Sequence, residues 1–454
     1  MPAVFPGNSL SSFWQAVAWP FYFHGTAFLM PLDLLATLRD LVATPSINPM
    51  GLPASGPEYF EHQLTNYLEQ LFARYKIPTW RQHIAEKRDN LLARLEGYPA
   101  VENGGTLLLL EAHQDTVPVE GMSIAPFDPQ VRDGRLYGRG SCDIKGGMTC
   151  MLGAMVRLAE QHPHPLAQRE GEEQHPHPGT LPKGEGENAR PRPTVVMACT
   201  VNEEHGFTGA TGLCRLWSGQ PNPIFPRRPD VAIVAEPTDL NVVVAHKGMV
   251  RWRCHTLGRA SHSSQPELGQ NAIFRMAAVL TALKDYQHSV AGKLAEHALC
   301  GRPTLSVGTI TGGLSVNTVP DHCTIEIDRR LVPGEQPEPA RQHVIDFVAA
   351  HTSLEKYVQH DPPFMQSAGL NDAHNHDLAQ RLVAAIQATT NRTPQTLGVA
   401  FGTDAFCYDG AGVPSVVFGP GSIKQAHTAD EWVPVAEVEQ AAEAIYRFIA
   451  EWTK

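Results

Sequence analysis

The stretch "TLLLLEAHQDTVP", residues 106–118, indicates the fold most directly. A short apolar run without alternation is typical of a strand covered on both faces of a sheet, and this run ends at His113 and Asp115. The pattern recurs in "PTVVMACTV" (193–201), "PDVAIVAE" (229–236) and "VPSVVFG" (413–419). Amphipathic helix candidates lie at 146–162 and 434–452. Strands that alternate with helices predict an α/β domain.

The composition predicts a globular enzyme or small-molecule binder of about two domains. The 454 residues are 42% hydrophobic and 18% charged, which is enough apolar material for sizeable cores. A formal net charge of −11 gives no field that would attract nucleic acid or an anionic membrane. The eight cysteines show neither paired spacing nor a zinc-knuckle pattern, so we expect a cytoplasmic location.

Changes in composition suggest how the chain is divided into domains. Residues 1–30 are interpreted as an N-terminal extension that does not belong to the native protein, with a signal segment as the alternative. Residues 161–193, rich in Pro, Gly, Glu and His, are predicted to be a disordered insertion. The segment 243–351 has the pattern of a small α+β domain. It would separate two parts of the larger domain, 31–242 and 352–454.

Polar side chains follow each of the four predicted buried strands. They are His113, the pair Glu203 and Glu204 in "NEEHG", Glu236 in "AEPTD" and His427 in "GPGSIKQAHTADEW". Asp143, in the glycine-rich "GRGSCDIKGG", precedes a predicted helix. Because the carboxyl ends of parallel strands meet at one edge of a sheet, we expect these side chains to converge there. Imidazole nitrogens and carboxylate oxygens are suitable ligands for zinc.

The number of candidate ligands favours two ions over one. A catalytic ion keeps a position open for water, and five ligands suit two ions if one carboxylate bridges them. Asp143, short and held in a tight turn, is the predicted bridge. Asp115 would act as the acceptor that fixes the imidazole tautomer of His113. Of Glu203 and Glu204, one would bind metal while the other accepts a proton from water.

Each motif also has a purely structural interpretation. His113 and Asp115 could form a capped turn, the two glutamates a solvated surface pair, "AEPT" a helix start, and His427 an ordinary loop histidine. A chain without a metal site would rarely place all of them directly after buried strands. Their conjunction favours the metal site.

The segments "HQDTVP", "GRGSCDIKGG", "VNEEHG", "AEPT" and "QAHTADEW" resemble the signature segments of the co-catalytic zinc amidohydrolases. This family includes acetylornithine deacetylase, succinyl-diaminopimelate desuccinylase, aminoacylase and glutamate carboxypeptidase, and the resemblance extends from about Leu34 to the end. It implies a catalytic domain with a mixed, largely parallel sheet, interrupted by a ferredoxin-like lid that also forms a homodimer. It further implies two Zn²⁺, which Co²⁺ could replace.

The resemblance also assigns roles to the metal-site residues. His113 and Glu236 would hold one ion, Glu204 and His427 the other, with Asp143 bridging and Glu203 as general base.

The same resemblance implies further residues outside the metal site. "GRASHSSQPELGQNAI" would supply His262, which reaches across the dimer to stabilise an oxyanion. "NTVPDHCTIEIDRRLVPGE" would supply Asn317 and a carboxylate-binding Arg330, and "FGTDAF" would bring Gly402 and Thr403 to the pocket floor. Structural alternatives are a surface turn for His262 and a strand-face ion pair for Arg330.

The predicted function is metal-dependent hydrolysis of the amide bond of an N-acyl amino acid, with N-acetylornithine as the leading substrate. N-succinyl-diaminopimelate is the first alternative, because Lys247 could hold a second carboxylate, and a dipeptide or carboxypeptidase substrate is the next. An inactive metal-dependent binding protein is the alternative from another class. A phosphoesterase would need a phosphate cradle, which the sequence lacks.

Overall fold

The computed structural model describes residues 31–161, 191–219, 222–294 and 296–452. The predicted extension at 1–30 lies outside the described residues, as do residues 162–190 of the predicted insertion. In the part of the chain that is described, no helix is long and apolar enough to span a membrane.

The first half of the chain contains both helices and strands, with five strands in succession between the second and the third α-helix. In order they are α1 (Leu34–Ala43), α2 (His62–Arg74), β1 (Thr79–Ala85), β2 (Arg88–Leu95), β3 (Leu107–His113), β4 (Gln130–Arg132), β5 (Arg135–Tyr137), α3 (Gly146–Gln161), β6 (Thr194–Thr200), α4 (Thr208–Ser218), β7 (Val231–Val234) and β8 (Val242–His246). The predicted helix at 146–162 and strands at 106–112 and 193–201 thus agree with the structure to within one or two residues.

The second half contains an antiparallel block and then returns to the first pattern. Its elements are β9 (Gly248–Leu257), α5 (Ala272–Asp285), β10 (Thr304–Gly312), β11 (His322–Leu331), α6 (Pro337–Thr352), β12 (Val358–His360), β13 (Met365–Ser367), α7 (His376–Thr390), β14 (Thr396–Val399), α8 (Ala405–Gly410), β15 (Ser415–Val417), β16 (Trp432–Pro434) and α9 (Val435–Ala450).

The larger sheet has eight strands in the order β1-β2-β6-β3-β7-β15-β8-β14. Its central pairs β6/β3, β3/β7 and β7/β15 are parallel, whereas β1/β2, β2/β6 and β15/β8 are antiparallel. The sheet is therefore mixed. A separate three-stranded sheet, β16-β5-β4, lies off this one.

Hydrophobic cores cover both faces of the larger sheet, which explains the continuous apolar run of β3. Leu108 and Leu110 face a core formed with α1, α2, α3, α7 and α9. Leu107 and Leu109 face the opposite core, which contains residues of α4 and α8. Since consecutive strand residues point to opposite faces, a strand buried on both sides must be apolar at every position.

The smaller sheet has the ferredoxin-like arrangement, so the predicted fold class is confirmed. Its elements follow the order β9-α5-β10-β11-α6-β12, and its strands lie in the order β10-β11-β9-β12, with β13 also pairing with β9. One face packs against α5 and α6. We call the larger sheet and its helices the catalytic lobe, and the smaller sheet with α5 and α6 the lid.

The strands of the lid sheet run from Gly248 to Ser367, and the boundaries 243 and 351 for the whole lid stay a prediction. β8 belongs to the larger sheet, where it pairs with β15 and β14, and the lid sheet starts at Gly248. β12 and β13 extend it to Ser367. Alternating burial begins only in β9, whereas β8 is buried throughout like a central strand. The three-residue strands β12 and β13 are too short to produce a recognisable pattern.

Candidate metal centre

The candidate ligands come from adjacent strands of the catalytic lobe. His113 is the last residue of β3, Glu203 and Glu204 follow β6, and Glu236 follows β7. His427 lies in the segment between β15 and β16. Strands β6, β3, β7 and β15 are neighbours and run parallel. Their carboxyl ends therefore deliver these side chains to one edge of the sheet.

Three buried side chains form the first group of ligands. One ligand atom each of His113, Asp143 and Glu236 lies within 4.8 Å of the other two. The His113 Nε2 is 3.2 Å from Asp143 Oδ1 and 3.9 Å from Glu236 Oε1. One nitrogen and two carboxylate oxygens at this spacing provide three ligands for a divalent cation and leave a coordination position open.

A second group shares Asp143 with the first. Ligand atoms of Asp143, Glu204 and His427 also lie within 4.8 Å of one another. The His427 Nε2 is 3.3 Å from Asp143 Oδ2 and 3.3 Å from Glu204 Oε1. Asp143 thus presents one carboxylate oxygen to each group. The two groups contain the residues that the resemblance assigns to two ions.

The electrostatics of the site also suit bound cations. Burial, together with repulsion from Asp143, raises the pKa of Glu204 and raises that of Glu236 well above its usual range. Burial opposes protonation of His427, but hydrogen bonds to Asp143 and Glu204 raise its pKa to about 11. Several carboxylates crowded into a buried space repel one another unless positive charge lies between them. A divalent cation in each group would supply that charge.

His113 is oriented through its second ring nitrogen. Its Nδ1 donates to the main-chain oxygen of Asp115 at 2.9 Å, which leaves Nε2 directed at Asp143 and Glu236. The Asp115 carboxylate oxygen is farther away, at 3.7 Å. The acceptor is therefore the backbone of Asp115 and not the carboxylate that the sequence suggested.

The Asp115 carboxylate instead holds the loop that carries the two glutamates. It accepts hydrogen bonds from the backbone N–H groups of Glu203 and Glu204, both at 3.1 Å, and from Asn48 Nδ2 at 2.8 Å. These three donors leave it little capacity for the imidazole. Asp115 is almost completely buried, so its position is fixed.

Glu203 lies beside the ligands without belonging to either group. Its side chain is buried, and burial together with the nearby Glu236, Glu204 and Asp404 raises its pKa well above the usual range, although His113 opposes this shift. A carboxylate with raised proton affinity beside a metal centre is suited to accept a proton from water.

Glu431 organises the turn that presents Asp143, a role that sequence reasoning missed. Its Oε1 accepts hydrogen bonds from the backbone N–H groups of Cys142 and Asp143, at 2.9 and 3.0 Å. Its Oε2 pairs with Arg139 at 2.6 Å. Glu431 is fully buried, four residues after His427 in "QAHTADEW". The acidic residue within that segment was the signal from which a role for Glu431 could have been predicted.

A further buried acidic group, also missed, lies near Glu203. The Thr200 hydroxyl donates to Glu111 and lies 3.3 Å from Asp404 Oδ2. Burial raises the pKa of Glu111 to about 7 and that of Asp404 well above its usual range. Glu111 is the single charged residue in the run "TLLLLEA". A charge in a buried strand was the signal from which this acidic group could have been predicted.

The lid places His262 beside Asn317. A bridge pairs His262 with Thr318, and the Ser263 N–H donates to the Asn317 carbonyl at 3.0 Å. The exposed His262 ring accepts from the Ser264 N–H at 3.2 Å, and its Nδ1 lies 2.7 Å from the Ser264 hydroxyl. Both of these ring contacts are local to the turn.

Arg330 forms an ion pair with Asp328 on the lid sheet. The Arg330 Nε is 3.0 Å from Asp328 Oδ1, and Arg251 Nε donates to the other oxygen of the same carboxylate at 2.8 Å. Two guanidinium groups thus share one carboxylate, which leaves the group with a positive charge. The ion pair considered as the structural alternative for Arg330 is present.

Gly402 and Thr403 lie where the catalytic lobe contacts the lid strand β9. A Cβ on Gly402 would lie 3.3 Å from Met249 Cε and 3.4 Å from the Lys247 carbonyl. Thr403 is buried, and its Oγ1 accepts from the Ala405 N–H at 3.2 Å at the start of α8. The Thr403 hydroxyl therefore has a structural hydrogen bond.

The fold and site together define a class of protein. A mixed α/β sheet that presents two ligand groups sharing one carboxylate, joined to a ferredoxin-like lid, is the architecture of a two-lobed hydrolase with a metal cofactor. Comparison with known proteins gives the family. Residues 109–168 match the model of Peptidase family M20/M25/M40, and residues 244–354 match that of the Peptidase dimerisation domain. The chain belongs to this family and is an enzyme.

Similar proteins agree with this assignment. The chain is 30% identical over 356 residues to acetylornithine deacetylase of Myxococcus xanthus, covering 77% of this chain and 80% of that protein. It is 26% identical over 405 residues to a probable succinyl-diaminopimelate desuccinylase of Staphylococcus aureus (strain MSSA476), covering 82% and 88%. The structure of Sso-CP2, an M20 family metallo-carboxypeptidase from Sulfolobus solfataricus, matches with a TM-score of 0.68 at 17% identity, covering 92% and 98%.

Proposed function

We propose that the protein hydrolyses the amide bond of an N-acyl amino acid, with N-acetylornithine as its substrate and two Zn²⁺ as its cofactor. The observation that carries this proposal is the shared position of Asp143, whose two oxygens face separate ligand groups. The acetylornithine deacetylase of Myxococcus xanthus, similar at 30% identity, supports the choice of substrate.

The donor set fits two zinc ions, or two cobalt ions in their place. His113 and Glu236 would hold one ion, Glu204 and His427 the other, and Asp143 both. When bound, such ions supply Lewis acidity to the scissile carbonyl and acidify water. The Asp115 carbonyl directs the His113 Nε2 toward its ligand group, and the His427 Nε2 lies 3.3 Å from Glu204 Oε1.

Glu203 moves the proton in this mechanism. Its carboxylate takes a proton from the attacking water and returns it to the amine nitrogen as the carbon–nitrogen bond breaks, giving a carboxylic acid and a free amine. The backbone hydrogen bond from Glu203 N to Asp115 holds the base beside the ligands. Asp115 thereby contributes to catalysis by positioning the base.

Residues of the lid would bind the substrate. Arg330 would exchange part of its contact with Asp328 for the substrate carboxylate, for which a guanidinium is a bidentate donor. His262, with Asn317 beside it, would reach from one protomer to the site of its partner and stabilise the oxyanion. Gly402 and Thr403 would border the pocket, where the absence of a Cβ at Gly402 keeps the space beside Met249 free.

We further propose that the protein is a homodimer formed through the lid. Large apolar side chains on the lid are exposed, among them Phe274 (76%), Leu314 (93%) and Val316 (101%). All three lie within the matched dimerisation domain, residues 244–354. Large exposed apolar side chains in such a domain are candidates for a protein interface.

Deacetylation is favoured over desuccinylation by the position of Lys247. Its Nζ donates to the Arg302 carbonyl at 2.6 Å, so the residue considered for a second carboxylate links the junction of β8 and β9 to the segment before β10. Desuccinylase, peptidase and inactive binding protein remain the alternatives for the test. A cytoplasmic location belongs to the same proposal and is supported by eight free cysteines.

The test is a substrate panel combined with replacement of the base. Zinc-loaded protein is assayed for amine release from N-acetylornithine, N-succinyl-diaminopimelate and a dipeptide, and we expect the highest kcat/KM on N-acetylornithine. Glu203→Gln should keep both ions and lose on the order of 10³-fold in kcat. Exposed Glu120→Gln is the matched control and should behave like wild type. Near-normal turnover of Glu203→Gln would contradict the mechanism, and binding without turnover by wild type would indicate a binding protein.

A further inference from the structure

Asn48 is a fully buried polar residue beside the metal centre that no step of the proposed mechanism uses. The segment 46–48 runs alongside residues 114–116. The Asn48 N–H donates to the Thr116 carbonyl at 2.8 Å, and the Thr116 N–H donates to the Ser46 carbonyl at 3.0 Å. This pairing places the Asn48 side chain next to Asp115.

The Asn48 amide makes hydrogen bonds with both of its ends. Its Nδ2 donates to Asp115 Oδ2 at 2.8 Å and to Asn202 Oδ1 at 2.9 Å. Its Oδ1 accepts from the Met50 N–H at 3.0 Å and from Arg88 Nη2 at 3.4 Å. A reversed amide would place an oxygen against two acceptors and a nitrogen against two donors, so the surroundings permit only one orientation.

The two acceptors of the Asn48 amide both hold the loop that carries Glu203 and Glu204, which we call the catalytic loop. Asn202, at φ +63°, is the residue directly before Glu203 and Glu204. Asp115 binds the backbone N–H groups of both glutamates. One amide group therefore cross-links the start of this loop to the carboxylate that holds its centre.

We propose that Asn48 is a positioning residue that fixes the location of Glu203 and Glu204. This inference rests on the proposed function, because it assigns the two glutamates their roles as base and ligand. A neutral amide suits this role because it offers two hydrogens at a fixed angle and adds no charge to a site that already contains several carboxylates. Without it, Asp115 and Asn202 would lose a shared donor, and the loop could shift relative to the ligands.

The experiment compares Asn48→Ala with Ser46→Ala. Ser46 is equally buried in the same segment, and its hydroxyl donates to the Gln114 carbonyl at 2.7 Å and not to the Asp115 carboxylate or Asn202. We expect Asn48→Ala to lose on the order of 10²-fold in kcat with little change in KM, whereas Ser46→Ala keeps the wild-type kcat. Equal losses of kcat in the two variants would overturn the proposal, since the general packing of residues 46–48 would then explain the loss, and not the Asn48 amide.

A second readout is independent of metal and substrate. Hydrogen exchange of the Glu203 and Glu204 amides, measured in metal-free protein, should become about tenfold faster or more in Asn48→Ala and stay unchanged in Ser46→Ala. If Asn48→Ala is unstable, Asn202→Gly keeps the positive φ, removes the other acceptor and should show the same acceleration. Unchanged exchange in these variants would overturn the inference, whereas a wild-type protein inactive on every substrate would overturn only the proposed function.

Discussion

Asp143 can serve both ligand groups because its position is fixed by another buried acid. The side chain is short, so the reach of its two oxygens to His113 and His427 depends closely on the position of the Asp143 backbone. Glu431 fixes that backbone through two N–H groups and is itself held by Arg139. A residue outside both ligand groups thus holds the turn that carries the shared carboxylate.

We expect Glu431→Gln to lower the free energy of unfolding by about 3 kcal/mol. The amide offers one acceptor oxygen, so either the turn at Asp143 or Arg139 loses its partner inside the protein. Urea denaturation of the variant measures the loss. The control is Glu443→Gln, which removes a partly exposed partner of Arg157 and Arg447 and should cost less than about 1 kcal/mol. Equal, small effects in the two variants would contradict this account of the turn.

At the same scale, the sequence predicted the candidate ligands but not the atoms that orient them. His113, Glu236 and His427 each follow an apolar run, and that placement can be read from the chain. The hydrogen bond from Asn48 to the Asp115 carboxylate joins residues that are 67 positions apart in sequence. Single-sequence patterns contain no information about such pairings.

At the scale of elements, the parallel central strands create the site, and the junction of β8 with β9 connects it to the lid. The sequence predicted the long elements well, because α3 and α9 have a clear helical period and β3 is a continuous apolar run. The passage from the larger sheet to the lid is harder to predict, since β8 and β9 follow one another with Lys247 between them and no loop residues mark the change. His246, fully buried, lies at this junction.

His246 should make the protein less stable as the pH falls. Burial lowers the pKa of its imidazole from 6.5 to about 4. Between these values the unfolded chain binds a proton at His246 that the folded protein does not, so the free energy of unfolding decreases as the pH falls from 6.5 to 4, by on the order of 3 kcal/mol. Chemical denaturation of metal-free protein across this window should show a smaller decrease in His246→Gln. Exposed His83→Gln is the control, and an unchanged slope in His246→Gln would contradict the assignment.

At the scale of the whole molecule, the proposed homodimer would cover exposed apolar side chains of the lid. Phe274, Leu314 and Val316 lie on α5 and on the loop between β10 and β11. Sequence patterns do not reveal this surface, because an apolar residue in a helix or a loop can be either buried or exposed. Their exposure becomes visible only when the lid is folded.

We expect Phe274→Glu combined with Val316→Glu to convert a dimer into a monomer. Two charges on each side of a symmetric interface would be desolvated against apolar neighbours. Sedimentation velocity measures the change in mass, and amide hydrolysis should fall with it if His262 acts across the dimer. Leu52→Glu, which changes an exposed leucine of the catalytic lobe, should leave the dimer intact. A wild-type protein that sediments as a monomer would contradict the proposed interface.

The central claim is that side chains distant in sequence hold two cations through one shared carboxylate. The most direct measurement is anomalous diffraction at the zinc absorption edge from crystals of the zinc-loaded protein. We expect two peaks on opposite sides of the Asp143 carboxylate, one beside His113 and Glu236 and the other beside Glu204 and His427. A single peak, or no peak near Asp143, would contradict the account.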